Sequence, residues 1–454
     1  MFPLTIKWIQ LSFFWLRDIL FIINSHDISV VYCHKMKLIS NYINGLFKLG
    51  LSGLVSQIIA LLTWRYLGQA VPLDNIGEFS LNIFWIEVLC IFSLMGVETF
   101  YPKYVYDNKY QRFSFNFSRD IFVLSIVFSI LFLFLNHLLE IVSSTGIGLS
   151  LLIISSVIAI TQFRFKQVVQ LVEGNFTTYG IYQVARPILF IVIIVIYINL
   201  YGTPNLYLSY ASSFAVLIFM NVVFGRSTGT SCDTRFSILW IRDSYYFAAV
   251  GIFGVISTYS SRLLTDQIFT LSEVGILALL ISYAAPVKSL ISIFDKIYYP
   301  EAIKRLNHSG KLGIELYTLN IILLTVVGFV TLRLLMPIIG SFLALEKTSD
   351  IATFGYLVYS FLPMLVWILF VPVIIHKNPK LYSNSKAVIT VLVVIFQAVI
   401  FGFVSFDEIG LVLYVSECLY LVPLFLLINP YISPWEKSLF ILFSFLCLVP
   451  VFFN

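Results

Sequence analysis

Apolar runs of about twenty residues recur along almost the whole chain, broken by short polar turns. A bilayer core about 30 Å thick takes about 20 apolar residues per helix. The runs that qualify are 46–68, 79–100, 120–139, 147–169, 179–200, 206–225, 243–264, 273–295, 312–334, 352–375, 387–405 and 409–428. A further apolar run covers 437–453. Turn chemistry separates most of them, for example Pro72-Leu73-Asp74-Asn75, Gly202-Thr203-Pro204-Asn205 and Asn378-Pro379-Lys380. Strand-length alternation is absent, which argues against a membrane β-barrel. The pattern predicts an all-α polytopic membrane protein with about twelve core transmembrane helices and one or two extra hydrophobic segments.

Composition agrees. Of 454 residues, 59% are hydrophobic and only 11% charged, against about 25% charged in soluble domains. That is too little polar surface to cover a water-soluble globule. The net charge of +5 says little by itself; its distribution says more. With residues 36–48 placed on the cytoplasmic side and the helices alternating, inner connections carry 19 Lys and Arg and outer ones 4. This positive-inside bias fixes an orientation and predicts a multi-pass membrane protein with residues near 36 cytoplasmic; the resemblance given below implies a bacterial inner (plasma) membrane. Arg164, Lys166 and Lys386 count among the inner loop charges in this reading. The five cysteines form no CxxC pair, and neither GxxxxGK[ST] nor GxGxxG occurs, so no metal, cofactor or nucleotide site is expected.

The organisation follows from the spans. Residues 1–35 are an apolar tail interrupted by Lys7, Arg17 and Asp18. It lacks a small-residue cleavage site and so does not read as a signal peptide. An interfacial helix, an extra span and an untranslated leader ahead of Met36 are the readings open for it. Residues 36–225 form a first six-helix lobe, 226–242 a cytoplasmic linker, 243–430 a second six-helix lobe, and 431–454 an extra C-terminal hydrophobic segment.

The two lobes share landmarks. Asn75-Ile76-Gly77-Glu78 opens the second helix and Tyr101-Pro102 closes it; Glu273-Val274-Gly275-Ile276 opens the eighth and Tyr299-Pro300 closes it. Both Gly-to-Pro separations are 25 residues, and the copies are 198 apart. An arginine precedes each copy, Arg65 and Arg262, at an offset of 197. Repetition at six-helix spacing predicts homologous halves of the same orientation. Such parallel repeats are a transporter architecture, with the substrate between the halves.

Arg65-Tyr66-Leu67-Gly68, a short polar loop and Ile76-Gly77-Glu78-Phe79-Ser80 together resemble the first helix pair of the polysaccharide exporters, the Wzx-type O-antigen flippases of the multidrug/oligosaccharidyl-lipid/polysaccharide (MOP) superfamily. Gly96 with Tyr101-Pro102 and a following basic loop fits the same pattern. The resemblance covers roughly 36–430. It implies two parallel six-helix lobes of the MATE-like kind, a role in O-antigen or lipopolysaccharide biosynthesis, and partnership with a lipid-linked oligosaccharide, the bilayer, and the polymerase and chain-length machinery of surface polysaccharide.

Ionisable side chains at helix depth cost about 2.5–3.5 kcal/mol on insertion scales and mark cavities or partners. Lys48, Arg65, Arg186, Arg262 and Lys288 are the candidate substrate-binding residues. Gly45, Lys48, Ser52, Ser56 and Thr63 form a polar stripe on the first helix, and Gly251, Gly254, Thr258, Ser261 and Thr265 form its counterpart on the seventh. Lys288 sits near the middle of the eighth span beside Pro286, and Arg186 precedes Pro187 in the fifth. Glu87, Glu98, Asp295 and Glu417 are candidate ion-coupling groups, and also candidate neutralising partners of the basic residues.

Arg and Lys in a cavity suit an anionic head group. The expected function is a flippase that moves polyprenyl-diphosphate-linked oligosaccharide across the inner membrane by alternating access, making and breaking no bond, and hence not an enzyme. A MATE-type multidrug or cation exporter is the alternative; its cavity would favour acidic side chains. An O-antigen polymerase is the third reading. That chemistry needs a substantial external loop, and the outer connections here are short.

Overall fold

The computed structural model describes residues 29–98, 101, 117–139, 147–172, 175–202, 205–224, 238–287, 291, 340–341, 348–377, 379–448 and 450–451. The chain divides into two units, Met1–Lys48 and Leu49–Asn454. In the first, the described residues are helical from Ser29 onward. All packing described below lies in the second.

The helices are α1 (Ser29–Ala70), α2 (Leu73–Leu94), α3 (Phe117–Leu139), α4 (Ile147–Val172), α5 (Phe176–Tyr201), α6 (Leu206–Phe224) and α7 (Ile238–Ile268). A shorter apolar helix, α8, covers Leu271–Val287. Then come α9 (Thr348–Tyr359), α10 (Phe361–Lys377), α11 (Pro379–Phe401), α12 (Ile409–Leu419), α13 (Leu421–Ile428) and α14 (Pro434–Leu446). No strand occurs among the described residues. Eight helical stretches there are long and apolar enough to cross a bilayer. The chain is an all-helical, multi-pass membrane protein. The predicted span 312–334 lies outside the described residues.

Two predicted spans are broken in the middle for a definite reason. Residues 352–375 fold as α9 and α10, parted at Ser360, and residues 409–428 as α12 and α13, parted at Tyr420. Pro363 and Pro423 follow the breaks by three residues, and proline has no N–H to return to the carbonyl four residues back. Other helices begin earlier than hydropathy alone suggests. The run expected at 387–405 starts at Pro379, a residue suited to a first helical turn. The C-terminal apolar run is integrated into the fold. Its helix α14 opens on a reciprocal capping box between Ser433 and Glu436 and buries Leu439, Phe440 and Phe443 against α10.

The outward faces are apolar at helical spacing. Val388, Val391, Leu392, Ile395 and Val399 form an exposed stripe on α11, while Ile389, Thr390, Val393 and Gln397 on its other side are buried. Water would not tolerate such a surface along so many helices; lipid does.

The repeat seen in the sequence meets itself in space. The first turns of α2 and α8 lie against each other. A Cβ on Gly77 would fall well inside contact distance of the Leu271 carbonyl and 3.2 Å from the Gly275 nitrogen. A Cβ on Gly275 would do the same to the Leu73 carbonyl and lie 3.3 Å from the Gly77 nitrogen. Leu73 and Leu271 are themselves 198 residues apart. The contact is therefore reciprocal, as a local two-fold relation between the halves requires. Further pairings echo it. Ser56 of α1 donates to the Gln183 carbonyl of α5 at 2.8 Å; Thr390 of α11 donates to the Phe253 carbonyl of α7 at 3.4 Å. Ser56 and Phe253 stand 197 residues apart.

At its other end α2 closes on α7. Gly96 has φ +74°, and a Cβ there would lie 2.7 Å from the Ser244 carbonyl and 2.6 Å from the Ala248 nitrogen. Glycine is demanded both by the left-handed backbone and by the neighbour. Between these ends Ile91 packs on Gly251 and Phe84 on Tyr259. Helix α7 also runs along α11, joined by Ser260 to Gln397 at 2.8 Å.

Gly77→Ala and Gly275→Ala should each destabilise the detergent-solubilised protein by about 1–3 kcal/mol through overpacking. Gly254→Ala, where a Cβ meets nothing within 4 Å, should be neutral or slightly stabilising. Thermal unfolding of the three variants checks this; equal melting temperatures would contradict the reciprocal contact.

Candidate functional site

The contact of α7 with α2 brings charged side chains to the middle of the bundle. Arg262 on α7 is 8% exposed. Its Nη1 donates to the Ser80 hydroxyl of α2 at 2.9 Å, and its guanidinium lies 4.8 Å from the Tyr259 ring centroid. Its Nε–H is buried and has no hydrogen-bond acceptor among the described residues. Burying a cation this way is costly unless an anion arrives to meet it.

Arg186, next to Pro187 within α5, is exposed and places its guanidinium 5.4 Å from the Phe214 ring of α6. Phe214 packs on Tyr210 with centroids 5.1 Å apart. Tyr210 in turn meets Phe79 of α2 at 5.8 Å, one residue from the serine that Arg262 contacts. Phe79 also touches Tyr207 at 5.2 Å, whose hydroxyl accepts from Asn82 at 2.5 Å. Ring contacts therefore lead from Arg186 to Phe79, the chain neighbour of Ser80, while Arg262 lies on a separate ring pair, Tyr259 and Phe84.

Arg164 is the third guanidinium. One of its terminal nitrogens bridges both oxygens of Glu87, at 2.5 and 2.6 Å. The side chains are 27% and 13% exposed, so water screens the pair only in part. Glu98 lies within electrostatic reach of this pair. The Tyr210 hydroxyl sits in the combined field of Glu87, Arg186 and Arg164, and the Tyr259 hydroxyl in that of Glu87, Arg262 and Arg164. Three arginines and a carboxylate pair thus lie among these rings. The ion pairs within 4.0 Å among the described residues are Arg164–Glu87 and Arg119–Asp120. Arg186 and Arg262 are in neither.

Two charges differ from the sequence reading. Arg164 and Lys166 are expected at the inner end of the fourth helix in a positive-inside role. Helix α4 does contain both and runs on to Val172, but Arg164 is seated on Glu87. Lys386, also expected in an inner loop, lies two turns into α11. Its ammonium is 4.3 Å from the Tyr420 ring and 4.8 Å from the Trp367 ring. Glu417 on α12, a candidate coupling group, is half-buried and within electrostatic reach of Lys386.

The other predicted residues fall as follows. Arg65, near the end of α1, is half-buried beside Tyr283 of α8. Lys48 lies on α1, with its side chain outside the described set. Lys288 and Asp295 lie outside the described residues. The polar stripes divide: Ser56 binds the α5 backbone, Gly251 admits Ile91, and Thr63 and Thr265 bond back to their own helices. Among the described residues no group of three His, Cys, Asp or Glu could hold a metal ion.

The sequence matches no protein-family model and no curated protein. Its fold does match solved structures. It is similar to a MATE protein crystallised in complex with MaD5, at 12% identity and TM-score 0.52, covering 88% of this chain and 96% of that one. It is similar to the inward-facing conformation of a multidrug resistance MATE family transporter of the MOP superfamily, at 13% identity and TM-score 0.50, covering 86% and 95%. The outward-facing conformation of such a transporter matches at 13% identity and TM-score 0.50, covering 88% and 96%. The chain therefore has the fold seen in MATE transporters.

Because Arg164 and Glu87 compensate each other, Glu87→Ala and Arg164→Ala should each cost about 2–4 kcal/mol by stranding a charge. The double variant should cost clearly less than their sum. Denaturation of all three in one detergent checks this; strict additivity would show that the pair is not coupled.

Proposed function

We propose that this chain is a MOP-superfamily transporter, a flippase for polyprenyl-diphosphate-linked oligosaccharide, of the kind needed for O-antigen or a related surface polysaccharide. The observation that carries the reading is Arg262: a guanidinium buried between α7 and α2, whose Nε–H meets no acceptor among the described residues and whose Nη1 donates to a hydroxyl. Together with Arg186 it offers two cationic forks to phosphate oxygens, each lying against an aromatic ring. Arginine binds phosphate in a bidentate, planar way that few other side chains reproduce. The sequence adds Arg65, Lys48 and Lys288 as proposed substrate-binding residues, and the polyprenyl tail would stay in lipid. Glu98 beside the Arg164–Glu87 pair, Asp295 and Glu417 are the proposed coupling groups.

The head group carries about two negative charges. Leaving a negative interior, it gains about 5 kcal/mol per 100 mV if the charge crosses uncompensated. On the positive-inside assignment, with residues near 36 cytoplasmic in an inner membrane, the Gly77–Gly275 contact lies at the outer end. Flipping then requires the first turns of α2 and α8 to part. Polysaccharide polymerase and chain-length proteins are the partners this role implies. A second reading, multidrug export, is favoured by the likeness to the inward- and outward-facing multidrug resistance MATE transporters.

In proteoliposomes, Arg186→Ala and Arg262→Ala should each lower flipping of a fluorescent polyprenyl-diphosphate sugar at least tenfold, and the lysine variants should retain part of it. Wild-type rates in both alanine variants would refute the assignment. A chain that clears organic drugs and leaves the lipid untouched would establish the second reading.

A further inference from the structure

Lys386 occupies a setting that elsewhere receives a ligand. Its ammonium lies against two rings, Tyr420 at 4.3 Å and Trp367 at 4.8 Å. Tyr382 flanks Trp367 with centroids 6.2 Å apart, and Trp367 meets Tyr420 edge-on at 6.1 Å. The cage is fixed by its surroundings. The Tyr420 hydroxyl is bonded to Ser257 of α7, and Tyr420 sits at the break between α12 and α13 where Pro423 interrupts the helix. Trp367, Tyr382 and Lys386 are half-buried, so the box is not sealed within the core. Glu417 supplies the nearby negative charge. Aromatic walls with a carboxylate at hand are the chemistry that recognises organic ammonium ions.

We propose that Lys386 is a tethered cation that fills an organic-cation site in the second half of the transporter, excluding cationic substrates and fixing the chain's preference for anions. The inference rests on the anionic-substrate reading above and deepens it. A lysine in a loop would need no aromatic partners, and a lysine seeking only charge neutralisation would need no rings. Here the ammonium meets both rings and a carboxylate within reach, and all of these would be exposed by truncating one side chain. The rest of the cage stays in place through Ser257 and the helix break, so the vacated volume keeps its walls.

The test is equilibrium binding of tetraethylammonium and ethidium to the full-length protein in detergent, read by tryptophan fluorescence and by ethidium anisotropy. Wild type should bind neither measurably. Lys386→Ala should bind at least tenfold more tightly than wild type, and Lys386→Ala with Trp367→Ala should lose that gain. Lys386→Met, which refills the cage with an uncharged chain of similar length, should bind weakly and should keep the protein folded. Should Lys386→Ala not fold, added ethylammonium should restore its monodisperse elution; failure of that rescue alongside a folded Lys386→Met counts against a cation cage. Equal binding by wild type and Lys386→Ala, or no gain in a folded Lys386→Ala, would overturn the proposal. Flipping by Arg186 and Arg262 variants is measured separately. Loss of flipping there with no cation gain here sinks only the tethered-cation idea; cation gain here with normal flipping there sinks the phosphate assignment, and with it the anion preference, and leaves the cation cage standing.

Discussion

Two glycines, 198 residues apart in the chain, hold the α2 and α8 helix starts at backbone contact. No other residue fits at either position, because a single Cβ would enter the carbonyl of the opposite helix. The reciprocity matters more than the closeness. Each half presents the same glycine to the same backbone oxygen of the other, so one interaction relates the halves by a local two-fold and also fixes how near they come. Helix α7 then lies along α2 from Arg262 down to Ser244, and the arginine is delivered to Ser80 inside the bundle.

Electrostatics at that place are uneven by design of the helices. Arg164 has its own carboxylate and a second one nearby, so its charge is largely compensated within the protein. Arg186 stands over a ring, and Arg262 is buried on a ring and a hydroxyl. In a medium of low dielectric constant those two charges cannot be ignored. The proposed function assigns them to a phosphorylated head group. The second half holds a different arrangement, a lysine enclosed by aromatic rings beside Glu417, so the two halves share a backbone plan and differ in chemistry.

Much of this was legible in the sequence, and the exceptions have physical causes. Apolar length and turn residues located the helices. The Gly77 and Gly275 motifs announced the repeat. What could not be read was which charges neutralise each other: Glu87 was visible, but nothing local ties it to Arg164, 77 residues away. Hydropathy also trimmed helix ends. Lys386 looked like a loop residue because Tyr382, Ser383, Asn384 and Ser385 depress the apolar signal around it. Pro379 at the first turn was the available cue that the helix starts earlier, and with it Lys386 falls inside. Its aromatic walls come from α10 and the α12–α13 break, far along the chain, and only the folded bundle assembles them.

The central proposal, that Arg186 and Arg262 bind a phosphorylated lipid head, is open to direct measurement in lipid nanodiscs. Affinity for a polyprenyl diphosphate is compared with affinity for the matching uncharged polyprenol. The account predicts at least a tenfold preference for the diphosphate that vanishes when Arg186 and Arg262 are both replaced by alanine. Equal affinity for the two lipids, or a preference untouched by the double replacement, would contradict it.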